Sequence, residues 1–263
     1  MAIQKKNPRD SLLPLIKPST SIHNWYYKEL ISIVNAIRDE IDQALISENP
    51  LKAKNALASD GVSDWIAHIA DYMMDKWNKK LNSISINTAK LFIDKTTGNY
   101  DVRLASALRN KGFTVRMTNS EATLKDLHEA MGENIGLIKS IGTEYLSKVQ
   151  MHVWQAVTGG YDLALLTKNI AHDTHVARDR AATIARDQSN KAHAVIERAR
   201  RKELGVKEAI WLHSHAGKVP RQSHVRANGK KFNIEKGMYI DGEWILPGEK
   251  INCRCGSKAI WPY

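Results

Sequence analysis

Apolar residues recur every three or four positions through most of the chain up to Leu204, and after Gly205 that rhythm stops. A chain patterned this way builds helices first and a different structure last. Leu30, Val34, Ile37, Ile41 and Leu45 share one side of a helix expected to stop near Asn49-Pro50. Trp65, Ile69, Met73, Trp77, Leu81 and Ile84 form a second stripe, with Ser63 and Asp64 as candidate N-caps. Thr96-Thr97-Gly98-Asn99 is expected to break the pattern, and 102–117 to be short and turn-bounded. Ser120-Glu121-Ala122-Thr123 marks the next helix start. Its stripe runs through Leu124, Leu127, Met131, Ile135, Ile138, Ile141, Tyr145 and Val149 to Gly159-Gly160. Gly132, Gly136 and Gly142 should interrupt it, each costing about 1 kcal/mol against alanine inside a helix. A helix over 162–170 and a longer one over 176–204 complete the series, the latter with Ala181, Ile184, Gln188, Ala192, Val195, Ile196 and Ala199 on one face. Ahead of all these, Pro8, Pro14 and Pro18 disfavour helix and predict an extended arm.

Beyond Gly205 the chain is punctuated by Gly217, Gly229, Gly237, Gly242, Gly248 and Gly256, with Pro220 and Pro247. Asn228-Gly229 and Asp241-Gly242 are hairpin-turn dipeptides, flanked by candidate strands at 222–225, 231–234, 238–240 and 243–246. The expected fold is mainly α, an extended helical N-terminal region with a small C-terminal α+β module rich in β-hairpins. Its expected divisions are an arm (1–22), a helical region (23–175), a basic helix (176–205) and a β-rich module (206–263). Trp211, Trp244 and Trp261 are expected to anchor the core of that module.

A hydrophobic content of 43% in 263 residues supports a packed core. No run of 18 apolar residues occurs, and the N-terminus lacks the apolar stretch of a signal peptide, so a soluble protein made in the cytoplasm is expected. The net charge of +11 is concentrated: between Arg178 and Lys231 there are 14 Lys or Arg against 5 Asp or Glu. Such a field favours polyanions. Arg178, Arg180, Arg186, Arg198, Arg200, Arg201 and Lys202, with Lys230 and Lys231, are candidate contacts to double-stranded DNA, non-specific and salt-sensitive. The same charges also suit a solvated helix face.

Cys253 and Cys255 are the only cysteines and are too close in sequence to bridge readily, which suits a reduced compartment. With His224 and either His213 or His215 they offer four zinc ligands, and a module with so small a core has a physical use for a metal staple. Two buried thiols with locally bonded histidines are the alternative. A nuclease would use His213 or His224 as general base and Arg221 on phosphate, but carboxylates are sparse here. No catalytic residue is assigned, and the chain is expected not to be an enzyme.

The ordered set Arg180-Ala181-Ala182-Thr183-Ile184-Ala185-Arg186-Asp187-Gln188, Gly205, Trp211, Pro220-Arg221-Gln222-Ser223-His224, Asn228-Gly229-Lys230-Lys231-Phe232, Pro247-Gly248 and Cys253-Arg254-Cys255 resembles the phage Mu F-like minor head proteins, also called phage head morphogenesis proteins. It covers about residues 178–258. The resemblance implies a minor capsid protein of a tailed phage, in few copies, at the portal vertex and head interior of the virion. Head assembly or DNA delivery would be its task. Portal protein or major capsid protein and packaged DNA would be its partners, with no membrane contact in the assembled head. Many members carry an acidic residue shortly before the Arg-x-x-His stretch, where this chain has His215-Ala216-Gly217-Lys218. No acidic role is therefore carried over.

Overall fold

The computed structural model describes residues 12–47, 59–158, 163–215 and 219–262. Four long helices come first: α1 (Thr20–Ser47), α2 (Ser59–Arg109), α3 (Glu121–Thr158) and α4 (Leu163–Glu203). They are followed by β1 (Glu208–Leu212), α5 (Gln222–Ala227), β2 (Lys231–Asn233), β3 (Met238–Ile240), β4 (Glu243–Ile245) and β5 (Gly256–Ala259). The fold is mainly α with a small α+β region, as the change of texture at Gly205 predicts. No helix among the described residues is long and apolar enough to cross a membrane.

The contacts divide the chain into two compact units, each assembled from separated segments. A helical unit comprises Asn24–Lys90 and Glu133–Ala185, and a C-terminal unit comprises Met1–His23, Leu91–Gly132 and Arg186–Tyr263. The sequence-based divisions fall elsewhere: α4 crosses 175/176 unbroken, and residues 206–263 share a unit with long stretches of helix. A stretch of that size buries too little apolar surface alone, and helix supplies the missing cover.

In the helical unit Leu30, Val34 and Ile37 of α1 and Met73, Trp77 and Leu81 of α2 are buried, as their stripes predict. α2 starts at Ser59, so Ser63 and Asp64 lie inside the helix and do not cap it. α3 runs unbroken through Gly132, Gly136 and Gly142. At Gly142 a Cβ would lie 2.5 Å from Leu81 Cδ1 and 3.2 Å from Ile37 Cδ1, so the missing side chain lets two other helices pack against α3. Burying such side chains, about 1.5–3 kcal/mol each, outweighs the glycine's propensity cost.

α4 is also continuous where a gap over 171–175 is expected. Thr174 Oγ1 donates to the Ile170 carbonyl at 2.7 Å and is bonded to the Tyr145 hydroxyl at 2.7 Å. Asp173 meets His152 Nε2 at 2.7 Å. Polar residues that look helix-breaking in isolation are held here by long-range partners.

In the C-terminal unit α2 continues through Thr96-Thr97-Gly98-Asn99 to Arg109, with Thr96 Oγ1 donating to the Phe92 carbonyl at 2.7 Å. Burial of Phe92, Tyr100, Leu104 and Leu108 keeps the stretch helical. α3 starts where expected, and Ser120 Oγ accepts the Thr123 amide at 3.1 Å. β2, β1 and β5 form an antiparallel sheet in that order, with Ala209 opposite both Phe232 and Ala259. Leu12 bridges Ile260 beyond β5, and Leu13 and Ile16 are buried. The described part of the expected extended arm is therefore packed, because its leucines and isoleucine cover the sheet edge, and α1 begins at Thr20 within it. Residues 1–11 lie outside the described set.

β3 and β4 form the hairpin predicted at Asp241-Gly242, both with positive φ (54° and 88°), as a tight primed turn requires. The expected strand over 222–225 is instead α5, because His224 and Ala227, three apart, both turn into the core. Asn228-Gly229 closes that helix rather than a hairpin, the Gly229 amide donating to the Trp211 carbonyl at 2.8 Å. Trp211 and Trp261 are core residues, 0% and 5% exposed. Trp244 is 59% exposed and tilts against Tyr239, so it does not anchor the core; in β4 the inward position belongs to Ile245.

Candidate functional site

The end of β1, α5 and the turn before β5 bring His224, Cys253 and Cys255 together. His224 Nδ1 lies 3.5 Å from Cys253 Sγ and 3.6 Å from Cys255 Sγ. All three side chains are buried, and both cysteines are free thiols. Positions i and i+2 share one face of an extended chain, which already favours convergence of Cys253 and Cys255. The turn that carries them is closed by Asn252, at φ +60°, and by the Cys253 amide donating to the Lys250 carbonyl at 2.8 Å. Asp187 Oδ1 on α4 fixes that turn by accepting the Asn252 amide at 2.7 Å.

The residues that carry the family resemblance hold this cluster. Arg221 Nη2 donates to the Ile251 carbonyl at 3.0 Å, tying the start of α5 to the cysteine turn. Asn228 Oδ1 accepts the His213 amide at 2.9 Å. Trp211 packs edge-on against His224 with centroids 5.4 Å apart. Pro247 and Gly248 are buried, and a Gly248 backbone hydrogen bond reaches Cys253. Pro220 and Arg254 line a cleft of about 280 Å³ with His213, Arg221, His224, Cys253 and Cys255. His215 does not line it. Among the described residues no Asp or Glu lines it either.

The mutual hydrogen bond drives the acidities of the two thiols apart. A hydrogen bond from Cys255, opposed by burial but aided by backbone donors and His224, holds Cys253 well below the usual thiol range, at about 5. The same bond, with burial and the Cys253 charge, drives Cys255 upward, and the Trp211 indole pulls the other way. Trp211 Nε1 is buried and makes no well-formed hydrogen bond among the described residues. Burial and the neighbouring His215 and His224 push His213 down, favouring the neutral imidazole that metals bind.

The predicted basic face is only partly a face. Arg200 is 2% exposed: its guanidinium meets Asp101 at 2.7 Å and Glu203 at 2.9 Å. Burial opposes its charge, but these two carboxylates outweigh it and raise its pKa. Arg201 is 4% exposed and bonds Glu197 and Ser257. These two are not presented to phosphate, because the fold buries them, Arg200 against Asp101 and Glu203 and Arg201 against the buried Glu197. Arg198 lies 3.8 Å from Asp126. In the helical unit Arg178 donates to Asn35 at 2.8 Å and Arg180 pairs with Glu144 at 2.7 Å. Arg186, Lys202, Lys230 and Lys231 are exposed in the C-terminal unit. Asp101 was not identifiable as a partner residue, since it acts on Arg200, far away in sequence.

Residues 147–257 match the family described as phage Mu protein F like protein. Over that segment the chain is similar to this family, in line with the resemblance in sequence. A protein of Haemophilus influenzae whose name is given as "Uncharacterized protein" is 29% identical over 247 residues, which cover 91% of this chain and 53% of that protein. The chain thus spans about half the length of this relative. No solved structure matches it.

Proposed function

We propose that the chain is a minor head protein of a tailed phage, incorporated in few copies at the portal vertex, where it acts in head assembly or DNA delivery. The match of residues 147–257 to the Mu F-like family carries this reading. The helical region offers portal or major capsid protein a surface with exposed Tyr72, Met151, Trp154 and Leu165. Arg186, Lys202, Lys230 and Lys231 supply sequence-independent contacts to packaged double-stranded DNA. The protein resides in the head interior, away from any membrane. Co-expression with the portal protein of the same genome tests the docking. The two should co-purify through a size-exclusion column, and separate elution in both low and high salt would contradict it.

A further inference from the structure

We propose that the C-terminal unit binds one zinc ion through His224 Nδ1, Cys253 Sγ and Cys255 Sγ, with His213 Nε2 as the fourth ligand. The inference is independent of the head-protein role.

The donor atoms are already spaced for the ion. The three lie within 4.8 Å of one another. Tetrahedral zinc with Zn–S near about 2.3 Å and Zn–N near about 2.0–2.1 Å has N···S edges of about 3.5–3.6 Å. The two observed edges are 3.5 and 3.6 Å. A single ring N–H aims at one acceptor, so near-equal distances from Nδ1 to both sulfurs suit a cation in the middle better than a hydrogen bond to either. Two sulfurs with imidazole nitrogen also select a borderline-soft metal over magnesium or calcium.

Trp211 points independently to a ligand. Its indole nitrogen is fully buried, lacks a well-formed partner, and acts on the Cys255 sulfur. A metal-bound thiolate is the acceptor such an N–H wants, and donors of this kind keep thiolate charge in place.

The fold also selects between the two remaining histidines. His213 lines the same cleft but lies outside the group of three donors, and its Nδ1 accepts the His215 amide at 3.2 Å, so it would reach the ion through Nε2 by moving toward it. His215 supplies that amide from a residue with φ +53° and does not line the cleft. The bound ion would join the end of β1, α5 and the turn before β5, displacing the thiol protons as it enters.

Full-length protein purified without a histidine tag under reducing conditions should contain one zinc per chain by elemental analysis. Cobalt(II) replacing it should show the intense visible bands of a tetrahedral site and a sulfur-to-metal charge-transfer band. Cys253→Ser and Cys255→Ser should each abolish the latter's full intensity. His213→Ala should weaken zinc at least about 10-fold, while His215→Ala leaves affinity unchanged. Should the cysteine variants fail to fold, the cobalt spectrum of the unaltered chain still decides. No stoichiometric metal, a six-coordinate cobalt spectrum, or undiminished zinc in Cys253→Ser/Cys255→Ser would overturn the site. Equal affinity in His213→Ala would overturn the fourth ligand.

Discussion

Arg201 of α4 grips Ser257 of β5 twice, donating to its hydroxyl at 2.6 Å and to its backbone carbonyl at 3.0 Å. Glu197, one turn earlier, accepts at 2.7 Å from the same Nη2 that meets the Ser257 carbonyl. Burial pushes the Glu197 carboxyl up while Arg201 and Ser257 pull it back. Removing Arg201 strands a buried acid, so Arg201→Ala should cost about 3–5 kcal/mol in urea denaturation. Lys202→Ala, next to it but exposed, should stay within about 0.5 kcal/mol. Equal effects at the two positions would contradict the pairing.

The DNA interface should follow exposure rather than composition. Lys202, Lys230, Lys231 and Arg186 changed to Ala should reduce the steepness of binding against salt by roughly 0.9 for each phosphate no longer neutralised. A filter-binding series between low and moderate salt measures that slope. Affinity indifferent to salt in the unaltered chain would remove the electrostatic account.

Gly142→Ala should destabilise the helical unit by about 1–3 kcal/mol, even though alanine is the better helix former, because its methyl meets Leu81. Gly136→Ala has open space around the new Cβ and should be neutral or stabilising. Thermal denaturation of both variants separates packing from propensity. A stabilised Gly142→Ala would show that the approach of Leu81 matters little.

His193 makes the C-terminal unit acid-sensitive. It is buried, its Nε2 donates to the Ile16 carbonyl at 2.7 Å, and desolvation lowers its pKa to about 4. Above about pH 6.5 the ring is neutral in both states. Between there and about 4 the unfolded chain takes up a proton that the native chain refuses, so stability falls as pH falls. The loss approaches about 3 kcal/mol by pH 4. His193→Gln keeps a donor for Ile16 and should flatten that dependence. An unchanged pH profile in the variant would place the titration elsewhere.

The α1 stripe, the Asp241-Gly242 hairpin and the convergence of His224 with the two cysteines were all legible in the sequence, because each depends on local periodicity, turn chemistry or a rare residue type. Continuous helix through Gly142 and Thr174 was not, since Leu81 and Tyr145 come from other helices. Charge was the least legible property. Arg200 and Arg186 look alike as letters, and only Asp101 and Glu203 reveal that one is buried and the other faces solvent.

Quantitative mass spectrometry of purified particles from the genome that encodes this chain addresses the head-protein assignment most directly. The chain should be present at a few copies per particle, far below the major capsid protein. Particles complete in capsid and portal proteins but lacking this chain would contradict the assignment.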